Sequence, residues 1–198
     1  MSAQDLKKEG KEIAKAARKA LNSGLNHTEA LQKLSADFSN RDAIFKSLKS
    51  YPTAEKRQKY KIWNFLLFLL LMIELGVMLF SSIKANTNLA MIPFYFLGVF
   101  FYHAYFFYVL FNWKIGEYFW IVVYNSVLFL FFLGFSIFGE ATSQIFLVFS
   151  ITLLTAACIF LGIWLDIKLS PKVKVEKEIK AFPGEKKKFI KSFFFLNS

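Results

Sequence analysis

The chain has 198 residues, 56% of them hydrophobic and 19% aromatic, with 26 Phe and a formal net charge of +11; mean hydropathy is +0.40. That composition lies outside the range of ordinary soluble domains and indicates a polytopic membrane protein. One cysteine, Cys158, excludes an intramolecular disulfide, and with two His it excludes a conventional all-Cys/His structural zinc site.

The N-terminal 52 residues read as a small three-helix cytoplasmic domain. Leu6, Ile13, Ala17, Ala20 and Leu21 share one helical face, Leu31, Leu34 and Phe38 a second, and Ile44, Phe45 and Leu48 a third. Asn26 with Glu29 three residues on has the spacing of a capping box, and Asn40 is placed to cap the third helix. Pro52 closes that helix before Thr53 opens the next. About a dozen apolar side chains make a core of marginal independent stability, so this domain should lean on a membrane surface, a second copy or a partner.

From Thr53 the helical pattern runs through "AEKRQKYKIWNFLLF" into the first apolar segment, which would couple the small domain rigidly to the apolar part of the chain. Lys56, Arg57, Lys59 and Lys61 would then lie at the lipid headgroups, with Tyr60 and Trp63 as interfacial aromatics. The apolar stretch begins too late for a secretory signal, so an uncleaved membrane protein is expected.

Four stretches, at about 62–83, 90–112, 117–138 and 143–166, are each long enough to cross a hydrocarbon layer of about 30 Å. The connections between them leave room only for turns, which predicts antiparallel neighbours. The expected fold is therefore all-α: a four-helix transmembrane bundle over residues 53–166, preceded by the helical domain and followed by a basic, Phe-rich tail at 167–198. Residues 1–61 carry 14 basic and 7 acidic side chains, and the tail carries 9 basic and 3 acidic. An even number of crossings with both ends basic places both termini in the cytoplasm, in what we read as a bacterial cytoplasmic membrane.

Within the tail, Val173, Val175 and Ile179 alternate with charged residues, as in a strand. Beyond "PG", Lys186, Lys187, Lys188 and Lys191 stand beside Phe193, Phe194 and Phe195, a combination suited to an anionic lipid surface or a protein partner.

Polar residues inside the apolar stretches carry the sharpest information. Counted at ~1.5 Å per residue, Glu74 lies roughly 15–18 Å from the cytoplasmic boundary, His103 about 12–14 Å, Asn125 roughly 12 Å and Thr155 roughly 16 Å. The four fall in one layer. An ionisable group facing lipid at that depth costs on the order of 3 kcal/mol or more, so these residues should face the bundle interior, with Glu74 paired to His103 and Tyr102 or Tyr105 donating to the carboxylate. Interhelical packing is one role for such a cluster, and an ion pathway is another.

Enzyme signatures are missing: there is no G-x-S-x-G, H-E-x-x-H or phosphate-binding glycine loop, and no second intramembrane acid for a paired-carboxylate site. No catalysis, cofactor or metal is expected. Arg41, Lys46 and Lys49 have rough helix-turn-helix spacing, yet basic residues ahead of a first cytoplasmic crossing are required by topology anyway, so nucleic acid is not an expected partner. These features favour an accessory, anchoring or regulatory membrane subunit for a cytoplasmic partner. The alternative is a homo-oligomeric pore lined by the polar layer, as in a membrane effector of bacterial defence.

Overall fold

The computed structural model describes residues 3–84, 92–138, 145–180 and 188–196, with side chains described over 8–79, 97, 99–130, 133, 148–174 and 194–196. Among these residues the fold is predominantly helical. Seven helices run in chain order, α1 (Ala3–Asn22), α2 (His27–Asp37), α3 (Arg41–Lys49), α4 (Ala54–Lys84), α5 (Ile92–Asn112), α6 (Tyr118–Phe138) and α7 (Ile145–Leu169). A single antiparallel hairpin follows, β1 (Val173–Lys180) with β2 (Lys188–Phe195). The chain divides into two compact units: Met1–Gln58 with Leu169–Ser198, and Lys59–Lys168.

In the first unit, local chemistry sets each helix end. Gly24, at φ +93°, takes the left-handed conformation that terminates α1. Its N–H donates to the Leu21 carbonyl and that of Leu25 to Ala20, the paired bonds of a Schellman motif. At the start of α2 the Asn26 side chain accepts from the Glu29 N–H at 2.9 Å while Glu29 accepts from the Asn26 N–H at 3.0 Å, so the capping box is complete. Asn40 caps α3 by accepting from Ala43 N–H at 3.1 Å. Thr53 accepts from the Lys56 N–H at 3.4 Å where α4 begins.

The core of this unit joins Ile13, Ala17 and Leu21 of α1 with Ala30, Leu31 and Leu34 of α2 and Ile44, Phe45 and Leu48 of α3. Phe195, from the far end of the chain, completes it. Its ring stacks on Phe45 with centroids 4.6 Å apart and lies 5.0 Å from His27. The Thr28 hydroxyl donates to the Phe195 carbonyl at 3.4 Å, and the Leu196 N–H donates to the Lys172 carbonyl at 2.9 Å. Residues expected to form a separate tail thus belong to the N-terminal unit, because strand alternation turns Phe195 inward and leaves Phe194 exposed.

His27 is buried in this unit, and its Nε2–H donates to the Tyr51 carbonyl at 3.0 Å. Burial lowers its pKa below the ordinary 6.5, with nearby Lys56 acting in the same direction against the hydrogen bond to Tyr51. As pH falls through the ordinary value, the unfolded chain gains a proton that the folded unit refuses, so stability present above about pH 6.5 is lost on acidification. Hydrogen exchange of α2 amides in the full chain should therefore accelerate between pH 7 and 5, corrected for intrinsic rates. A His27→Gln variant should show a flatter profile, and an unchanged profile would remove His27 as the cause.

Among the described residues two helices, within α4 and α7, are long and apolar enough to cross a membrane; the described parts of the other two apolar helices, Val99–Asn112 and Tyr118–Leu130, are shorter. The buried share of the apolar window is only 28% in the first and 39% in the second, so both turn most of their apolar surface outward. A core helix of a soluble domain would do the reverse.

Candidate functional site: a buried polar layer

Buried positions in the second unit follow a repeat of three and four. The repeat is carried by Asn64, Leu67, Leu71, Glu74 and Met78 on α4, Val99, His103, Phe106 and Leu110 on α5, Tyr118, Ile121 and Asn125 on α6, and Val148, Ile151, Thr155, Cys158, Gly162 and Leu165 on α7, with Val109, Ile115 and Leu161 buried besides. This is the knobs-into-holes spacing of a helix bundle. Glycine at 162 fits the repeat because a Cβ there would stand 3.0 Å from Cγ2 of Val122, so α6 and α7 meet at close range.

Polarity across this unit is inverted relative to a water-soluble bundle. Asn64, Glu74, His103, Asn125 and Thr155 lie on the inward seams, while Phe65, Phe100, Phe101, Phe111, Phe149 and Phe160 face out. An aromatic exterior of this kind suits contact with hydrocarbon or with another apolar surface.

At one end, Asn64 joins three helices. Its Nδ2 donates to the Leu110 carbonyl at 3.1 Å, and its Oδ1 accepts from the Tyr118 hydroxyl at 2.5 Å. In the turn between α5 and α6, Gly116 at φ +80° offers its N–H to Asp166 at 3.3 Å. Glu117 accepts from the Tyr105 hydroxyl at 2.5 Å. Sequence reasoning overlooks Asn64 and Tyr118; the available signal is an amide inside "KIWNFLLF", ahead of a run with no other polar residue until Glu74.

Further along the seams lie the four residues expected in one layer. Glu74, His103, Asn125 and Thr155 are all completely buried. Their hydrogen bonds, however, run mostly within their own helices. His103 Nδ1 lies 2.9 Å from the Val99 carbonyl, Asn125 Nδ2 donates to the Ile121 carbonyl at 2.9 Å, and Thr155 Oγ1 donates to the Thr152 carbonyl at 2.9 Å. Among the described residues, Glu74 Oε2 has one hydrogen-bonding contact, the Cys158 thiol at 3.9 Å. Glu74 Oε1, His103 Nε2 and Asn125 Oδ1 have no hydrogen-bond partner among the described residues.

The expected Glu74–His103 hydrogen bond is therefore not formed, and neither tyrosine donates to Glu74. Tyr102 and Tyr105 are 56% and 40% exposed because the seam position belongs to His103, and its near neighbours fall on the flank of α5. Both line an outward groove of about 440 Å³ with Trp120, Val123 and Tyr124. The ring of Tyr124, next to Asn125, does reach His103, with centroids 5.9 Å apart and the planes nearly perpendicular.

The basic residues before the first apolar segment divide into two sets. Lys56 donates to the Ser170 carbonyl at 3.1 Å and Arg57 to the Asn22 side chain, so both serve contacts inside the first unit. Lys59 and Lys61 are exposed. Of the tail residues singled out, Lys186 and Lys187 lie outside the described residues, as do the side chains of Lys188, Lys191 and Phe193. Phe194 is exposed, whereas Phe195 is a core residue and not available to a surface.

Among the described residues no group of three or more His, Cys, Asp or Glu is arranged to hold a metal ion. No protein-family model, curated protein or solved structure matches this chain.

Proposed function

We propose that the chain is a four-span integral membrane protein of a cytoplasmic membrane, non-enzymatic, in which the second unit anchors and the first unit is a cytoplasmic head that engages a protein partner or the anionic leaflet. The observation that carries this reading is the inverted polarity of the second unit, whose side chains suit hydrocarbon outside and polar packing inside. That both chain ends fold into one unit supports an even number of crossings, since the chain leaves that unit and returns to it. Exposed Phe194 and Leu196 beside exposed Lys172 give the head a mixed apolar and basic edge for contact.

The competing reading, a homo-oligomeric pore lined by the polar layer, is disfavoured by the burial of all four layer residues within one chain. The two readings are separated by extracting the full chain from its native membrane in mild detergent and measuring the particle mass and composition. A stoichiometric soluble protein that dissociates on Phe194→Asp substitution supports the accessory role. A pure assembly of several copies, with conductance altered by Glu74→Gln, would replace it with the pore.

A further inference from the structure

Of the three unpartnered polar atoms of these buried residues, two can only accept a hydrogen bond. A carbonyl only accepts, so His103 Nδ1, 2.9 Å from Val99 O, is the protonated nitrogen, and Nε2 of the neutral ring is left as an acceptor. Asn125 gives one of its amide hydrogens to the Ile121 carbonyl and leaves Oδ1 as an acceptor too. Glu74 Oε1 is an acceptor when the carboxyl is ionised and a donor only when it is protonated. A layer of acceptors attracts something that donates.

The titratable groups on the neighbouring helices are Cys158 of α7, 3.9 Å from Glu74, and the buried His103 of α5, whose ring meets that of Tyr124 on α6. Among the residues whose side chains are described, no Lys or Arg lies between Lys61 and Lys114 or between Lys114 and Lys168. Among the described residues, a bare carboxylate here would have a thiol as its single hydrogen-bonding contact. Taking up a proton costs far less than burying that charge unpaired. A sodium-type cation would want a shell of oxygen ligands, whereas an imidazole nitrogen suits a proton.

We propose that the layer is a proton-binding site in which Glu74 carries one proton at neutral pH and His103 is the second proton-accepting group. The proposed role is binding, because the described residues supply no relay for conduction. Toward the far ends of the helices the described residues, among them Met78, Val99, Leu130 and Ile151, include no titratable side chain to continue a relay.

This inference rests on the membrane-spanning reading of the second unit, so resistance of the full chain to alkaline carbonate extraction is established first; its failure removes the anchor reading without bearing on the protonation of Glu74. Infrared spectra of the full chain in detergent at neutral pH should contain a protonated-carboxyl band that is absent from Glu74→Gln. Dicyclohexylcarbodiimide, to whose C=N bond an undissociated carboxyl adds by giving its proton to nitrogen and its oxygen to the central carbon, should modify the Glu74 peptide at neutral pH and fail to do so at strongly alkaline pH. Glu74→Gln is close in shape to the protonated acid and should fold, and the infrared measurement on the unsubstituted chain does not depend on it. If Glu74 is instead ionised at neutral pH, with a carboxylate band lost in the variant and His103 as imidazolium, the proposal is overturned. Glu74-dependent proton flux in sealed vesicles would overturn the binding-only role.

Discussion

Replacing Phe195 with Ala should cost the first unit about 3–5 kcal/mol, the range for truncating a buried aromatic. The ring is nearly inaccessible, stacks on Phe45 and touches His27, so its removal opens a cavity among residues of α2 and α3. Small domains are stable by only about 5–15 kcal/mol, so a loss of this size is a large fraction of the total. Hydrogen exchange of α2 and α3 amides in the full chain should accelerate by roughly a hundredfold or more wherever exchange requires opening of the unit. The same change at Phe194, which is exposed, should have little effect. Equal responses from the two positions would show that the hairpin does not close the core.

A second large effect is expected at Asn64. Asn64→Leu removes the acceptor of the fully buried Tyr118 hydroxyl and a donor to the Leu110 carbonyl together. Leaving a buried hydroxyl without a partner costs about 1–3 kcal/mol. Tyr118→Phe on its own strands the Asn64 oxygen and should also destabilise the unit. In the double variant both partners are gone, so the loss should be smaller than the sum of the two single losses, with a coupling of about 0.5–3 kcal/mol. Thermal unfolding in detergent, followed by near-ultraviolet circular dichroism, measures the cycle; strict additivity would mean that the hydrogen bond carries no stability.

Local order in the first unit was legible in the chain itself. The capping box at Asn26, the cap at Asn40 and the inward faces of Ile13, Leu31 and Ile44 follow from short-range periodicity and side-chain reach, which depend on neighbours within a turn or two. The alternation at Val173 likewise announced a strand. What was not legible was its partner and its place: Phe195 lies 150 residues beyond Phe45 in the chain, and no local pattern distinguishes a phenylalanine for a membrane surface from one for a core.

In the apolar half the situation differs. When every face of a helix is apolar, periodicity carries almost no signal, and the few polar residues become the only markers of the inside. They identified Glu74, His103, Asn125 and Thr155 as interior residues, and all four are buried. Composition and the position of these residues thus determined the helical character, the apolar segments and which polar side chains lie inside. Only the tertiary structure decided which atoms of that layer are satisfied. A hydrogen bond depends on ångström-scale placement of two side chains from different helices, set by how all the seams pack at once, and that packing gave His103 and Asn125 to their own helix carbonyls and left Glu74 with a thiol.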